Sequence, residues 1–265
     1  LRAVILAITL FLLYSASAWV MLRTASNPRL SPIAWALTFA AVFAHSDAIV
    51  HMMSGHPVSI GLLEAISLLG WTLAVLACLI CVDKQSRVLG AILLASAAVG
   101  AAFTGYGRVY AEDHAPSVAL TAHILLSMAA SALLFAAAVT ALLLVFLDRR
   151  LRNRRLADLP NILPPLDALE KLMFRLIATG FSFLTLALVT GFVFVTNLFE
   201  QHLIHKTVLS LIAWVIFGTL LVGRTRYGWR GRSAVRWTLW GFATLVLAYF
   251  GSKFVLETLL HRHWG

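Results

Sequence analysis

Eight apolar runs of about 20 residues follow one another along the chain, roughly at 3–22, 31–50, 59–82, 88–106, 118–147, 172–198, 206–223 and 234–256. About 20 residues is the helical length that crosses about 30 Å of hydrocarbon. Between the runs lies the punctuation that ends helices: Asn27-Pro28 and Pro32, Gly55-His56-Pro57, Asp83-Lys84, Ala115-Pro116-Ser117 and Tyr227-Gly228-Trp229. With 61% hydrophobic and 12% charged residues, the 265-residue chain is too poor in charge to be an ordinary soluble enzyme. Its 11 Asp and Glu cannot solvate the surface of a protein this size, so most of that surface faces lipid. The expected fold is an all-α polytopic membrane protein of about eight transmembrane helices, a single integral membrane domain over residues 1–265 with no soluble domain left over. The fifth run exceeds what a bilayer requires and is expected to tilt or project.

Lysine and arginine set the orientation. Of the 21, 16 fall on one side: Arg23, Arg29, Lys84, Arg87, the five arginines from Arg149 to Arg155, Lys171, Arg175, and the five from Arg224 to Arg236. The other side holds Arg2, Arg108, Lys206, Lys253 and Arg262. The positive-inside rule makes the richer side cytoplasmic and leaves both termini outside, as for a multi-pass protein of the bacterial inner membrane. The net charge of +10 is therefore a topology marker, and no nucleic-acid partner is expected. In the longest inner connection, Arg149 to Arg155 form a basic patch that meets anionic lipid headgroups, so membrane lipid is an expected partner. Docking of a cytoplasmic protein is the other use of that patch. After Pro164-Pro165, Leu166, Leu169, Leu172 and Met173 recur at helical spacing opposite Asp167, Glu170 and Lys171, which predicts a short interfacial helix leading into the sixth span.

With that orientation all nine histidines, at 45, 51, 56, 114, 123, 202, 205, 261 and 263, lie toward the outside. Imidazole at the outer mouth of a bundle binds metal or haem iron through a neutral nitrogen, or relays protons. Single histidines from separate helices suit a bis-histidine haem better than zinc, which wants several ligands close together in sequence. His123 stands out because an ionisable residue within a span is costly and faces a bundle interior. Asp47 and His51, four residues apart, are expected to pair on one helix face. Glu64 lies one turn into the third span. Cys78 and Cys81 sit in an apolar run, in a sequence that lacks the histidine of a covalent haem-attachment motif, and read as packing thiols. No nucleophile–base pair, phosphate loop or metalloprotease motif is present, so an enzyme is not the expectation.

The run from Ser54 through Gly55-His56-Pro57 and Glu64 to Gly70-Trp71 resembles the CcsA-type cytochrome c assembly proteins. So does the segment Leu120 to Met128, in which His123 corresponds to the first external haem-ligand histidine. The stretch from Leu209 through Trp229-Arg230-Gly231 to Gly251 is similar to that superfamily's last two helices, which puts His261 or His263 where the second external ligand lies. Within the CcsA, CcmC and HemX superfamily the closest resemblance is to the eight-span YpjD and HemX-like branch, through Leu163-Pro164-Pro165-Leu166, Glu170, Met173-Phe174 and Gly228-Trp229-Arg230-Gly231. Two features of the family are missing. The tryptophan-rich segment before the seventh span is replaced by Asn197 to Lys206, and the inner histidine of the seventh helix by Gly223-Arg224-Thr225-Arg226.

The resemblance implies a non-enzymatic, haem-handling protein that is not a complete cytochrome c synthetase. It implies haem b held by His123 with His261 or His263, His205 in reserve and His45 next. Arg108, Lys206 and Arg262 are the outer cations available to propionates, and Tyr106, Tyr249 and Phe250 the aromatic groups at that depth. Implied partners are cytochrome c maturation or haem-pathway proteins. Two other readings stay open: a small-solute or ion transporter with His45, Asp47, Glu64 and His123 lining an outward vestibule, and a regulatory or structural membrane partner without haem.

Overall fold

The computed structural model describes residues 2–24, 26–54, 62–105, 118–152, 165–194 and 201–251, apart from the side chains at 52–54, 62, 118–119, 194, 201–205 and 250–251. The described residues form eight α-helices: α1 (Arg2–Arg23), α2 (Ser31–Ser54), α3 (Leu62–Cys81), α4 (Arg87–Ala101), α5 (Val118–Arg152), α6 (Leu166–Phe194), α7 (Gln201–Tyr227) and α8 (Gly231–Val246). The protein is an all-α membrane protein. Six of these helices, α1 to α3 and α5 to α7, are long and apolar enough to cross a membrane. The other two, α4 with 15 residues and α8 with 16, are shorter than the runs expected for them. The chain leaves α4 through Gly105 at φ 81, and α8 passes into a π-helical turn, Leu247–Gly251, that carries it five residues further.

The chain divides at Thr121 and Ala122 into two compact units, the first holding α1 to α4 and the second α5 to α8. In the first, α1 packs on α2 and α4, and α3 on α2 and α4. Where lipid replaces water no hydrophobic force drives helices together, so small residues that permit close backbone approach dominate their interfaces. Ala74, Ala77, Ala97 and Ala101 are fully buried, and α3 meets α4 at Gly70 and Gly100, where a Cβ on Gly70 would lie 2.9 Å from the Gly100 Cα. The large apolar side chains point outward instead: Phe43 is 77% exposed and Val82 74%, as expected of lipid-facing surface.

In the second unit α7 packs on α6 and α8. The Trp214 indole N–H of α7 donates to Thr185 Oγ1 of α6 at 2.9 Å while its ring stacks on Phe181. α5 touches α6 where Leu134 covers Gly180, and α8 through the edge-to-face pair Phe135–Phe242. The expected interfacial helix after Pro165 is not separate: α6 runs unbroken from Leu166 to Phe194. The segment holds no helix breaker, Lys171 pairs with Asp167 one turn earlier at 2.6 Å, and Leu169 and Met173 are already buried.

Candidate functional site

His123 lies in the second turn of α5, half-buried against the last turns of α6. Its Nδ1 is 3.1 Å from Thr190 Oγ1, and Gly191 clears space for the ring, since a Cβ there would come within 3.1 Å of His123 Cε1. Thr190 is itself bonded back to its own helix, donating to the carbonyls of Leu186 at 2.9 Å and Ala187 at 3.0 Å. The ring also hydrogen-bonds the Ala187 backbone on the same helix, and no side chain among the described residues bonds Nε2. A neutral imidazole anchored at one nitrogen and open at the other is the donor that axial ligation of haem iron requires, so this residue fits the group.

His45 differs in burial and in partners. It is fully buried in the first unit, and both of its nitrogens are used. Tyr14 Oη lies 3.2 Å from Nδ1, while Ser67 Oγ at 3.0 Å and Thr104 Oγ1 at 3.2 Å share Nε2. Ser67 and Thr104 bond each other at 2.8 Å. The partners come from α1, from α3 and from the turn after α4, so one imidazole on α2 joins all four helices of the unit. Buried polar groups must find partners, and here each finds one in another side chain. Asp47 and His51 do pair, at 3.7 Å, but both are exposed, so Asp47 does not share the enclosure of His45. Glu64 is buried one turn before Ser67 on α3.

The remaining expected residues are less fully placed. His205, with His202 beside it, lies in the first turn of α7, and its side chain is outside the described set. His56, His114, His261, His263, Tyr106, Arg108, Lys253 and Arg262 lie outside the described residues. Tyr249 and Phe250 lie in the π-helical turn after α8.

A cluster at the other end of the second unit was not expected. Glu170 on α6 accepts from Arg224 Nη1 on α7 at 2.8 Å and from Arg230 Nε at 3.2 Å. The Arg224 guanidinium also lies over the Phe174 ring, 4.5 Å from its centroid, and reaches the Trp229 carbonyl. Gly228, at φ 64, reverses the chain after α7, which lays the Trp229 ring on Gly223 and stacks it on Trp237. The residues quoted from 170–174 and 228–231 for the family resemblance thus meet in one place. Arg224 was counted with the topology markers, and a partner 54 residues away left no local trace. Thr190 and Glu170 are 20 residues apart on one straight element, roughly 30 Å at the helical rise, so the two sites lie about a hydrocarbon thickness apart.

Comparison with known proteins covers both ends of this unit. A 137-residue stretch is 42% identical to the inner membrane protein YpjD of Escherichia coli strain K12, covering 52% of each chain. A 150-residue stretch is 35% identical to an uncharacterized 28.8 kDa protein of Azospirillum brasilense, covering 55% of each. The cytochrome c biogenesis protein CcsA of Rippkaea orientalis is 28% identical over 124 residues, 44% of this chain and 36% of the relative. The chain thus spans about half the length of these two curated relatives. No solved structure matches it. The model of the cytochrome C assembly protein family matches residues 59–260, a range that takes in His123 and His205, begins after His45 and stops just short of His261 and His263. On that match over most of its length, the chain belongs to the cytochrome C assembly protein family.

Proposed function

We propose that this is a haem-handling protein of the inner membrane that holds haem b at its outer face, with His123 as one axial ligand. The observation that carries the reading is His123 itself: within the family-matched range, set in a membrane helix, anchored at Nδ1 and open at Nε2. Haem supplies an iron that takes imidazole nitrogen on its axial positions. His261 or His263 is the proposed second ligand and His205 the reserve, and the partners are proteins of cytochrome c maturation. CcsA relatives, named for cytochrome c biogenesis, support the same direction. The missing tryptophan-rich segment argues for haem holding without complete synthetase activity. The transporter reading is not favoured, and one of its four vestibule residues, His45, has both nitrogens bonded inside the first unit.

The test is an absorption spectrum of the detergent-purified chain before and after dithionite, with haem content normalised to folded protein. A Soret band that His123→Ala removes, and that only the double His261→Ala/His263→Ala variant removes among the tail variants, is the expected result. Full haem in His123→Ala would sink the assignment. The outer-face part has its own check: reporters fused after Arg155 and after His263 should report opposite compartments.

A further inference from the structure

We infer that Thr190 is a positioning residue for His123, fixing its tautomer so that Nε2 presents the lone pair, with Gly191 setting the ring's approach to α6. This rests on the reading of His123 as a haem ligand, but it makes a claim about the haem-free protein too.

A neutral imidazole carries one proton on two nitrogens, and whichever nitrogen lacks it is the only possible ligand. The threonine hydroxyl has one proton, and the back-bonds to Leu186 and Ala187 commit it to the helix backbone. Its oxygen, 3.1 Å from Nδ1, is then an acceptor, and the matching donor is Nδ1–H. The lone pair is left on Nε2. Donation from Nδ1 also makes Nε2 more basic, the role that outer partners play for metal-bound histidine. Gly191 completes the arrangement: the position of its missing Cβ is 3.1 Å from Cε1, the carbon between the two nitrogens, so alanine would push the ring off its bond to Thr190 by a few tenths of an ångström. Back-bonding alone accounts for a threonine in a membrane helix. The third bond, from a histidine 67 residues earlier, is what it does not account for.

The experiment uses the full chain in detergent, with ¹⁵N-histidine labelling and haemin titration of wild type, Thr190→Val, Thr190→Ser, Gly191→Ala and His123→Ala. In the haem-free wild type, the ring resonances that vanish in His123→Ala should show the Nδ1–H tautomer. Thr190→Val should give a mixture and Thr190→Ser should restore it. Haemin affinity should fall about tenfold in Thr190→Val and return within about twofold in Thr190→Ser. Gly191→Ala, which keeps the hydroxyl, should lose affinity as well, and it serves if the valine variant does not fold. An Nε2–H tautomer in wild type, or wild-type affinity and tautomer in Thr190→Val, overturns the inference while leaving His123 as ligand. Wild-type affinity in His123→Ala overturns the ligand reading itself.

Discussion

Two histidines near the same expected depth, one in each compact unit, are held in opposite ways. His45 bonds side chains from three other helices through both nitrogens and is closed to everything else. His123 is bonded only to the end of one neighbouring helix, by the Thr190 hydroxyl at Nδ1 and the Ala187 backbone, and is only half-buried. An imidazole that closes a network is a packing element, because a ligand at Nδ1 would displace Tyr14 and one at Nε2 would displace both Ser67 and Thr104. An imidazole anchored at one nitrogen keeps the other for a ligand. The difference lies in the partners: residue type and depth are shared.

The comparison breaks most easily at His45. His45→Ala removes three inter-helical hydrogen bonds and leaves a cavity among Tyr14, Ser67 and Thr104, and should destabilise the first unit by about 3 kcal/mol. Denaturant unfolding in detergent measures it. Haem content per folded molecule should stay at the wild-type level. Loss of haem in a folded His45→Ala protein would make the enclosed histidine the ligand and reverse the contrast.

The Glu170 end of the second unit gives the next largest effect. Glu170, 15% exposed, answers Arg224, 23% exposed, and Glu170→Ala should cost about 1–2 kcal/mol, discounted because neither group is fully out of water. A double-mutant cycle with Arg224→Gln should show coupling of most of that amount, and additive effects would mean that the ion pair contributes nothing. Tyr14→Phe follows. It deletes one of the three bonds at His45 and fills the same space, so about 0.6–1 kcal/mol is expected, in line with single hydrogen bonds between membrane helices. A larger loss would mean that the Tyr14 bond orients the whole network.

These two clusters also mark what the sequence could disclose. The eight apolar runs read directly, because hydrophobic length is a local property. So did the Asp47–His51 pair, at one helical turn. Helix ends did not: α5 continues through Asp148 and Arg152, which pair with each other at 3.0 Å, and α6 starts at Leu166, because charged residues that end a hydrophobic run do not end a helix. His45 reads from the sequence only as a further candidate ligand or vestibule residue, since its partners lie 31, 22 and 59 residues away. Thr190, 67 residues from His123, drew no attention, as one threonine among many in apolar helices.

The smallest expected effect separates two arginines that the charge pattern treats as equals. Arg224 and Arg226 are two residues apart near the end of α7, so they project from different faces of the helix. Arg224 turns toward α6 and binds Glu170, Phe174 and the Trp229 carbonyl, whereas Arg226 is exposed and has no acid within ion-pair distance among the described residues. Arg226→Gln should therefore change stability by less than about 0.5 kcal/mol, while Arg224→Gln takes the larger loss that comes with leaving the half-buried Glu170 to Arg230 alone. Both should keep any Soret band, because the Glu170 cluster is roughly 30 Å along α6 from Thr190. Unfolding curves and haem content of the two variants, prepared side by side, decide it. Equal destabilisation would mean that the arginines act only through charge at the membrane surface. Loss of haem in either variant with normal insertion would move the site to the Glu170 end of the unit and leave His123 without its role.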